Sequence, residues 1–275
     1  MGLLLGALSA ILIGFSDLNA QRAGRHASSF TVVRTALLTA GVLTPLLYLF
    51  VPGKFIAGEV VIAALSGIIM AAALAIVYQG YRAGKIGIVA PTTSVLLAML
   101  PVLNDAIRGV KLEAVVLIGL GIGIAALIPT SYSPGGTGSA KLSLMYGASS
   151  GVLFGITYIL LARVKDIGLT AVVAQRWGAF ISLALLLPFD KGPLTAWKTP
   201  ARKNAMFCGV FAGAAMSSLQ IGFQRASAGL VSVASSQFAT VTVVLAVLFN
   251  KERLRWWQGI GVAMTAVAVL LMALG

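Results

Sequence analysis

Gly6-Ala-Leu-Ser-Ala-Ile-Leu-Ile-Gly14 and Gly147-Ala-Ser-Ser-Gly-Val-Leu-Phe-Gly155 lie 141 residues apart and share five identities: Gly6/Gly147, Ala7/Ala148, Ser9/Ser150, Leu12/Leu153 and Gly14/Gly155. Each stretch belongs to an apolar run of about 20 residues, the length a helix needs to cross the hydrocarbon core of a bilayer. The same shift brings Arg22 onto Arg163. With one or two residues more, Arg34 meets Arg176 and Arg82-Ala83 meets Arg225-Ala226. Near the ends, Gly119 and Gly121 meet Gly259 and Gly261 at a shift of 140. The order holds through the whole half, which marks an internal duplication.

Working outward, apolar runs punctuated by charges fall near 2–21, 29–51, 59–81, 86–106, 112–130, 142–162, 168–188, 204–224, 229–249 and 256–274. The 275 residues are 59% hydrophobic and 10% charged, with a mean hydropathy of +0.99. Soluble domains run at about 45–50% and ~25%. Ten spans use most of the chain and leave no room for a soluble catalytic domain. The uncharged stretch Ser131-Tyr-Ser-Pro-Gly-Gly-Thr-Gly-Ser139 sits at the midpoint and reads as a flexible linker. The expected organisation is a first repeat over 1–130, a linker over 131–141 and a second repeat over 142–275. Five spans is an odd number, so the second copy starts from the opposite face and the halves are inverted. The expected fold class is an all-α integral membrane protein, ten transmembrane helices as two inverted five-helix repeats. Secondary transporters use this architecture and bind substrate between the halves near the midplane.

Composition removes several alternatives. Cys208 is the sole cysteine and His26 the sole histidine, which excludes a disulfide framework and argues against a His-based metal site or triad. No metal and no cofactor is expected. No phosphate loop with Gly-Lys-Ser/Thr occurs, and Gly119-Leu-Gly121-Ile-Gly123 lies inside an apolar span without a preceding strand. Transport driven by the chain's own ATP hydrolysis is thereby excluded. An intramembrane enzyme would need His, Cys or clustered acids that the spans lack. Met1-Gly-Leu-Leu-Leu5 has no basic region and is expected to begin the first span, not a cleaved leader.

The net charge of +13 falls mostly between apolar runs, as loop cations facing lipid would, so no nucleic-acid partner is expected. Twelve of the 20 Lys and Arg follow odd-numbered spans, six follow even-numbered spans, and Arg34 and Arg176 lie within spans. That bias puts the odd-span loops in the cytoplasm and both termini outside.

Several features occur together: duplicated five-span halves, Arg34 and Arg176 early in each second helix, and the Arg82-Ala83 and Arg225-Ala226 steps. Phe249-Asn-Lys-Glu-Arg-Leu254 then precedes a Gly-rich last helix. Together they resemble the EamA-like branch of the drug/metabolite transporter superfamily. The resemblance runs over essentially the whole chain. Its most specific piece is Glu252-Arg253-Leu254 with Gly261 nine residues after the Glu; in the first half, Arg108-Gly-Val-Lys-Leu-Glu113 has its Glu about one position off. The resemblance implies an exporter of amino acids, similar metabolites or drugs in a bacterial inner membrane. Around Tyr78 it is similar to the aromatic amino acid exporters. Multidrug efflux and carriage of phosphorylated or nucleotide sugars are the alternatives within the superfamily. A monomer suffices, since one chain supplies both repeats.

Ionisable groups inside spans are rare and usually functional. Asp17 and Arg34 stand at comparable depth, so an ion pair between them that fixes packing is one reading. A role for Asp17, Arg34 and Arg176 in gating or substrate recognition is a second, and an Asp17 that carries a proton is a third. Tyr78, Gln79 and Gln220 combine an aromatic ring with primary amides, which suits a cavity for zwitterions with varied side chains. They also suit interfacial or helix-capping places. Thr92, Thr93 and Ser94 in span 4 recur as Ser235, Ser236 and Gln237 in span 9, and Pro91 is expected to open the helix locally. These groups either bind substrate or return hydrogen bonds to their own helices. Thr157 and Tyr158 complete the set in span 6. At most one of Gln175 and Trp177 can face the cavity with Arg176. Gly147-xxx-Gly151-xxx-Gly155 and Gly209-xxx-Gly213 read as close-packing ridges.

Overall fold

Inside a membrane every backbone N–H and C=O must be satisfied within the protein, and runs of Leu, Ile, Val and Ala meet that demand as helices. The computed structural model describes residues 1–49, 53–83, 86–111, 113–131, 139–185, 192–250 and 255–274, and among them every long element is helical. In chain order these are α1 (Gly2–Gly24), α2 (Ser29–Leu43), α3 (Ala57–Ala83), α4 (Ile86–Ile107) and α5 (Ala114–Ser131). The second half continues with α6 (Ala140–Ala162), α7 (Thr170–Leu185), α8 (Arg202–Phe223), α9 (Ala228–Ser236), α10 (Phe238–Asn250) and α11 (Trp256–Leu274). A tight turn of helix over Thr44–Leu49 extends α2 past Pro45. Among the described residues five helices are long and apolar enough to cross a membrane by themselves: Gly2–Gly24, Ser29–Leu47, Ala57–Gly80, Lys141–Ala162 and Arg202–Phe223. Leu4, Leu8, Ile11, Val61, Leu65 and Ile68 stand exposed along α1 and α3, as lipid-facing side chains do.

The ten expected spans are present, with one revision. The ninth is two helices, α9 and α10, broken at Gln237. Pro91, expected to open the fourth span, lies within an unbroken α4. One lost backbone donor near the start of α4 is tolerated because α4 is held along its length by α6 and α9. At Gln237 the side chain supplies the missing bonds instead. Its Nε2 donates to Gly123 O and Val233 O, and its Oε1 accepts from Thr265 Oγ1. The Glu252-Arg253-Leu254 element and most of the linker (132–138) lie outside the described residues.

The helices interlock across the halves, and the most extensive pairings have counterparts with the halves exchanged. α1 packs on α8 as α6 packs on α3; α2 on α8 as α7 on α3; α4 on α6 as α9 and α10 on α1. The remaining pairs, α2 with α7, α4 with α9 and α5 with α11, join equivalent elements. Close approach depends on glycine. A Cβ on Gly67 of α3 would strike Gln175 O of α7, and one on Gly209 of α8 would strike Ala36 O of α2. The expected α6 ridge is real: Gly147, Gly151 and Gly155 lie against Val89, Thr93, Leu96 and Leu100 of α4.

Candidate functional site

A central cavity opens between the halves. It is built by helical spacing. Ile13, Ser16 and Asp17 share one face of α1; Met70, Leu74, Val77 and Tyr78 share one face of α3; Cys208, Ala212 and Met216 share one face of α8. Val33, Ala36 and Leu37 enter from α2, Thr93 and Leu97 from α4, and Phe154 and Tyr158 from α6. Arg176 of α7 and Phe238 of α10 complete the wall. The expected contributors, spans 1, 3, 4, 6, 8 and 9, are all present, joined by α2 and α7. The result is an apolar chamber with a few polar tips, the usual character of a small-molecule site.

Two charged side chains reach this chamber without a counter-ion. Asp17 is half-buried and, among the described residues, makes neither a hydrogen bond nor an ion pair. Arg176 is 3% exposed. Its Nη2 donates to Ala212 O at 2.9 Å and its Nη1 lies 3.7 Å from Met70 Sδ, while Nε has no partner. A carbonyl and a thioether hold the guanidinium in place but do not neutralise it. Tyr158 hydroxyl lies 3.3 Å from Ser235 Oγ, which lies 3.3 Å from Ser9 Oγ. Ser16 Oγ donates to Cys208 O at 3.0 Å and stands 3.3 Å from the thiol. Among the described residues no three His, Cys, Asp or Glu side chains gather into a metal-binding group.

Of the residues singled out in the sequence, Tyr78, Thr93, Tyr158, Asp17 and Arg176 meet in this cavity. The others do not line it. Gln79, one residue from Tyr78, points outward and is exposed, because successive helical residues turn by about 100°. Thr92 packs on Gly147 between α4 and α6. Ser94 is buried without a hydrogen-bond partner. Thr157 donates to Ser66 O, Gln220 Nε2 donates to Val164 O at 2.6 Å, and Ser236 donates to Val233 O. Ser235 sits one hydrogen bond behind the wall, and Gln237 braces the α9–α10 break. The Asp17–Arg34 pair is absent. Arg34 is fully buried and donates to Leu194 O, Leu183 O and Pro193 O, gathering the connection between α7 and α8. Neither Gln175 nor Trp177 joins Arg176: Gln175 donates to Ser66 Oγ, and Trp177, 37% exposed, packs on Phe180. The apolar wall, Met70, Phe154, Met216 and Phe238 above all, was not foreseen. For Met70 and Phe154 the signal was helical spacing, eight residues before Tyr78 and four before Tyr158; Met216 and Phe238 carried none.

Residues 141–274 match the EamA-like transporter family. No curated protein matches the chain. Among solved structures similar in fold is a crystal structure described only as that of a protein, with a TM-score of 0.80 at 17% identity. The match covers 99% of this chain and 98% of that one. At that identity the likeness speaks for the fold alone, and it extends the fold across both halves.

Proposed function

We propose, from the EamA-like domain over residues 141–274, that the chain is a multi-pass membrane transporter of the drug/metabolite transporter superfamily that exports amino acids and related small metabolites across a bacterial inner membrane by alternating access. The observation that carries this reading is the central cavity: one chamber shared by both halves, apolar over most of its wall, with one carboxyl and one guanidinium that have no counter-ion. A zwitterion with an apolar side chain fits such a wall. A phosphorylated sugar fits poorly, since phosphate carriers need several Lys or Arg facing the substrate and Arg176 alone lines this chamber among the described residues. The apolar wall also suits multidrug efflux, so the test must separate the two.

In this reading the halves are 1–130 and 142–275, joined by the linker 131–141, and they rock about the shared site. The odd-span loops face the cytoplasm and the monomer is the working unit. The test is radiolabelled amino acid uptake into proteoliposomes holding only this protein, with a broad panel of amino acids and lipophilic cations as competitors. Saturable uptake competed by several amino acids supports the proposal. Uptake of no amino acid, with and without a proton gradient, sinks it and moves drug efflux to first place.

A further inference from the structure

Within the same cavity we infer that Asp17 and Arg176 are the two poles of a zwitterion subsite, Arg176 receiving the substrate carboxylate and Asp17 its ammonium, while Met70, Leu97, Phe154, Met216 and Phe238 take an apolar side chain. This rests on the transporter reading above and narrows its substrate class to α-amino acids with apolar side chains.

Burying a charge without a partner is costly, and proteins pair such groups or leave them out. This cavity holds one of each sign, and among the described residues neither is paired with the other or with anything else of opposite charge. Arg34 shows what a structural arginine does in this fold: three main-chain carbonyls hold it, among other partners, away from the cavity. Arg176, at the equivalent place in the other half, keeps an unpartnered Nε and only one carbonyl. Asp17 is equally open, with no donor on it among the described residues. An α-amino acid carries both complementary charges on one carbon and brings its side chain to the apolar wall in the same pose. Both unpaired groups are then satisfied by a single ligand. A simple carboxylate or amine answers one pole and leaves the other bare.

The prediction concerns ratios, not absolute rates. In proteoliposomes loaded for uptake of radiolabelled leucine, wild type is competed by leucine at least about tenfold better than by 4-methylpentanoate, which lacks the ammonium. The same margin holds against isoamylamine, which lacks the carboxylate. Tenfold is the lower end expected for one charge-assisted hydrogen bond. Arg176→Gln should lose the advantage over isoamylamine and keep that over 4-methylpentanoate. Asp17→Asn should do the reverse. Arg176→Lys and Asp17→Glu, which keep the charges, should restore most of each ratio and stand in where a neutral variant does not assemble. Wild-type uptake with flat ratios, or variants that slow uptake while leaving both ratios intact, overturns the subsite and leaves amino acid transport standing. Absence of wild-type leucine uptake alongside transport of lipophilic cations overturns the amino acid reading itself.

Discussion

Arg34 and Arg176 hold the same place in their halves, yet their surroundings assign them different work. Arg34 collects Leu183 O, Pro193 O and Leu194 O, so its charge is spent on holding the α7–α8 connection. Arg34→Gln should lower the unfolding temperature of the detergent-solubilised protein, with a loss of about 1.5–3 kcal/mol for each charged hydrogen bond not replaced. Competition ratios among amino acids should stay at their wild-type values. A changed ratio would place Arg34 in the substrate path. A second pair tests the cavity wall directly. Tyr78 lines the chamber, and its neighbour Gln79 faces away from it. Tyr78→Ala should cut leucine uptake several-fold and Gln79→Ala should leave it within about twofold, the size of effect that separates a lost contact from none. Equal losses at both positions would mean that α3 turns a different face to the substrate.

At the scale of the helix, glycines of equal prominence in the sequence differ sharply in consequence. A Cβ on Gly151 would come within 2.8 Å of Leu96 Cβ and Thr93 O, and Thr93 lines the cavity. On Gly121, which recurs as Gly261 in the duplication, a Cβ would meet nothing within 4 Å. Gly151→Ala should therefore push α4 off α6, destabilise by about 1–3 kcal/mol through overpacking and reduce uptake. Gly121→Ala should be neutral or stabilise by up to about 1 kcal/mol through helix propensity. Thermal unfolding of the two variants beside wild type decides it, and equal shifts would refute the ridge. This contrast also shows what the sequence can and cannot convey. Duplication, span count and close-packing ridges are written in residue type and spacing, so the architecture was legible from Gly6–Gly14 against Gly147–Gly155. Which face of a span meets the cavity is not: Tyr78 and Gln79 are adjacent, equally plausible and about 100° apart. The halves also diverge where their partners differ. Ser235, Ser236 and Gln237 mirror Thr92, Thr93 and Ser94 in order, yet the helix breaks only at Gln237, where α5 and α11 offer Gly123 O and Thr265 to its amide. Pro91 pointed to the wrong half because a proline reports a lost donor and says nothing about neighbouring helices that hold the backbone in place.

Across the whole molecule the two faces are built differently. The cavity draws on the second halves of α1, α3 and α6, the first half of α7 and the middle of α2, α4 and α8, so it lies near mid-depth, with Cys208 early in α8 on the side of the odd-span loops. At the odd-loop face Thr31 and Arg34 bond α2 to the α7–α8 connection, and at the opposite face a second set of bonds ties the halves. Lys54 N–H donates to Ile167 O at 3.3 Å, Asp166 N–H donates to a Glu59 carboxylate oxygen at 3.1 Å, and Gly229 N–H donates to the Asp105 carboxylate. The last of these joins the end of α4 to the first turn of α9, where an acid also meets the positive end of the helix dipole. Cys208, the sole cysteine, lines the chamber and reports its accessibility without further engineering. A small membrane-impermeant methanethiosulfonate should modify Cys208 when applied from the face of the odd-span loops, slowly when applied from the other, and less in the presence of leucine. Asp105→Ala removes one charged hydrogen bond from the face opposite the odd-span loops, about 1.5–3 kcal/mol. If that bond differs between the two states, the balance between them shifts by roughly tenfold or more. Modification from the odd-loop face should then fall and modification from the other face should rise. Rates that are equal from both faces, or unmoved by Asp105→Ala, would show that these ties do not hold one side closed.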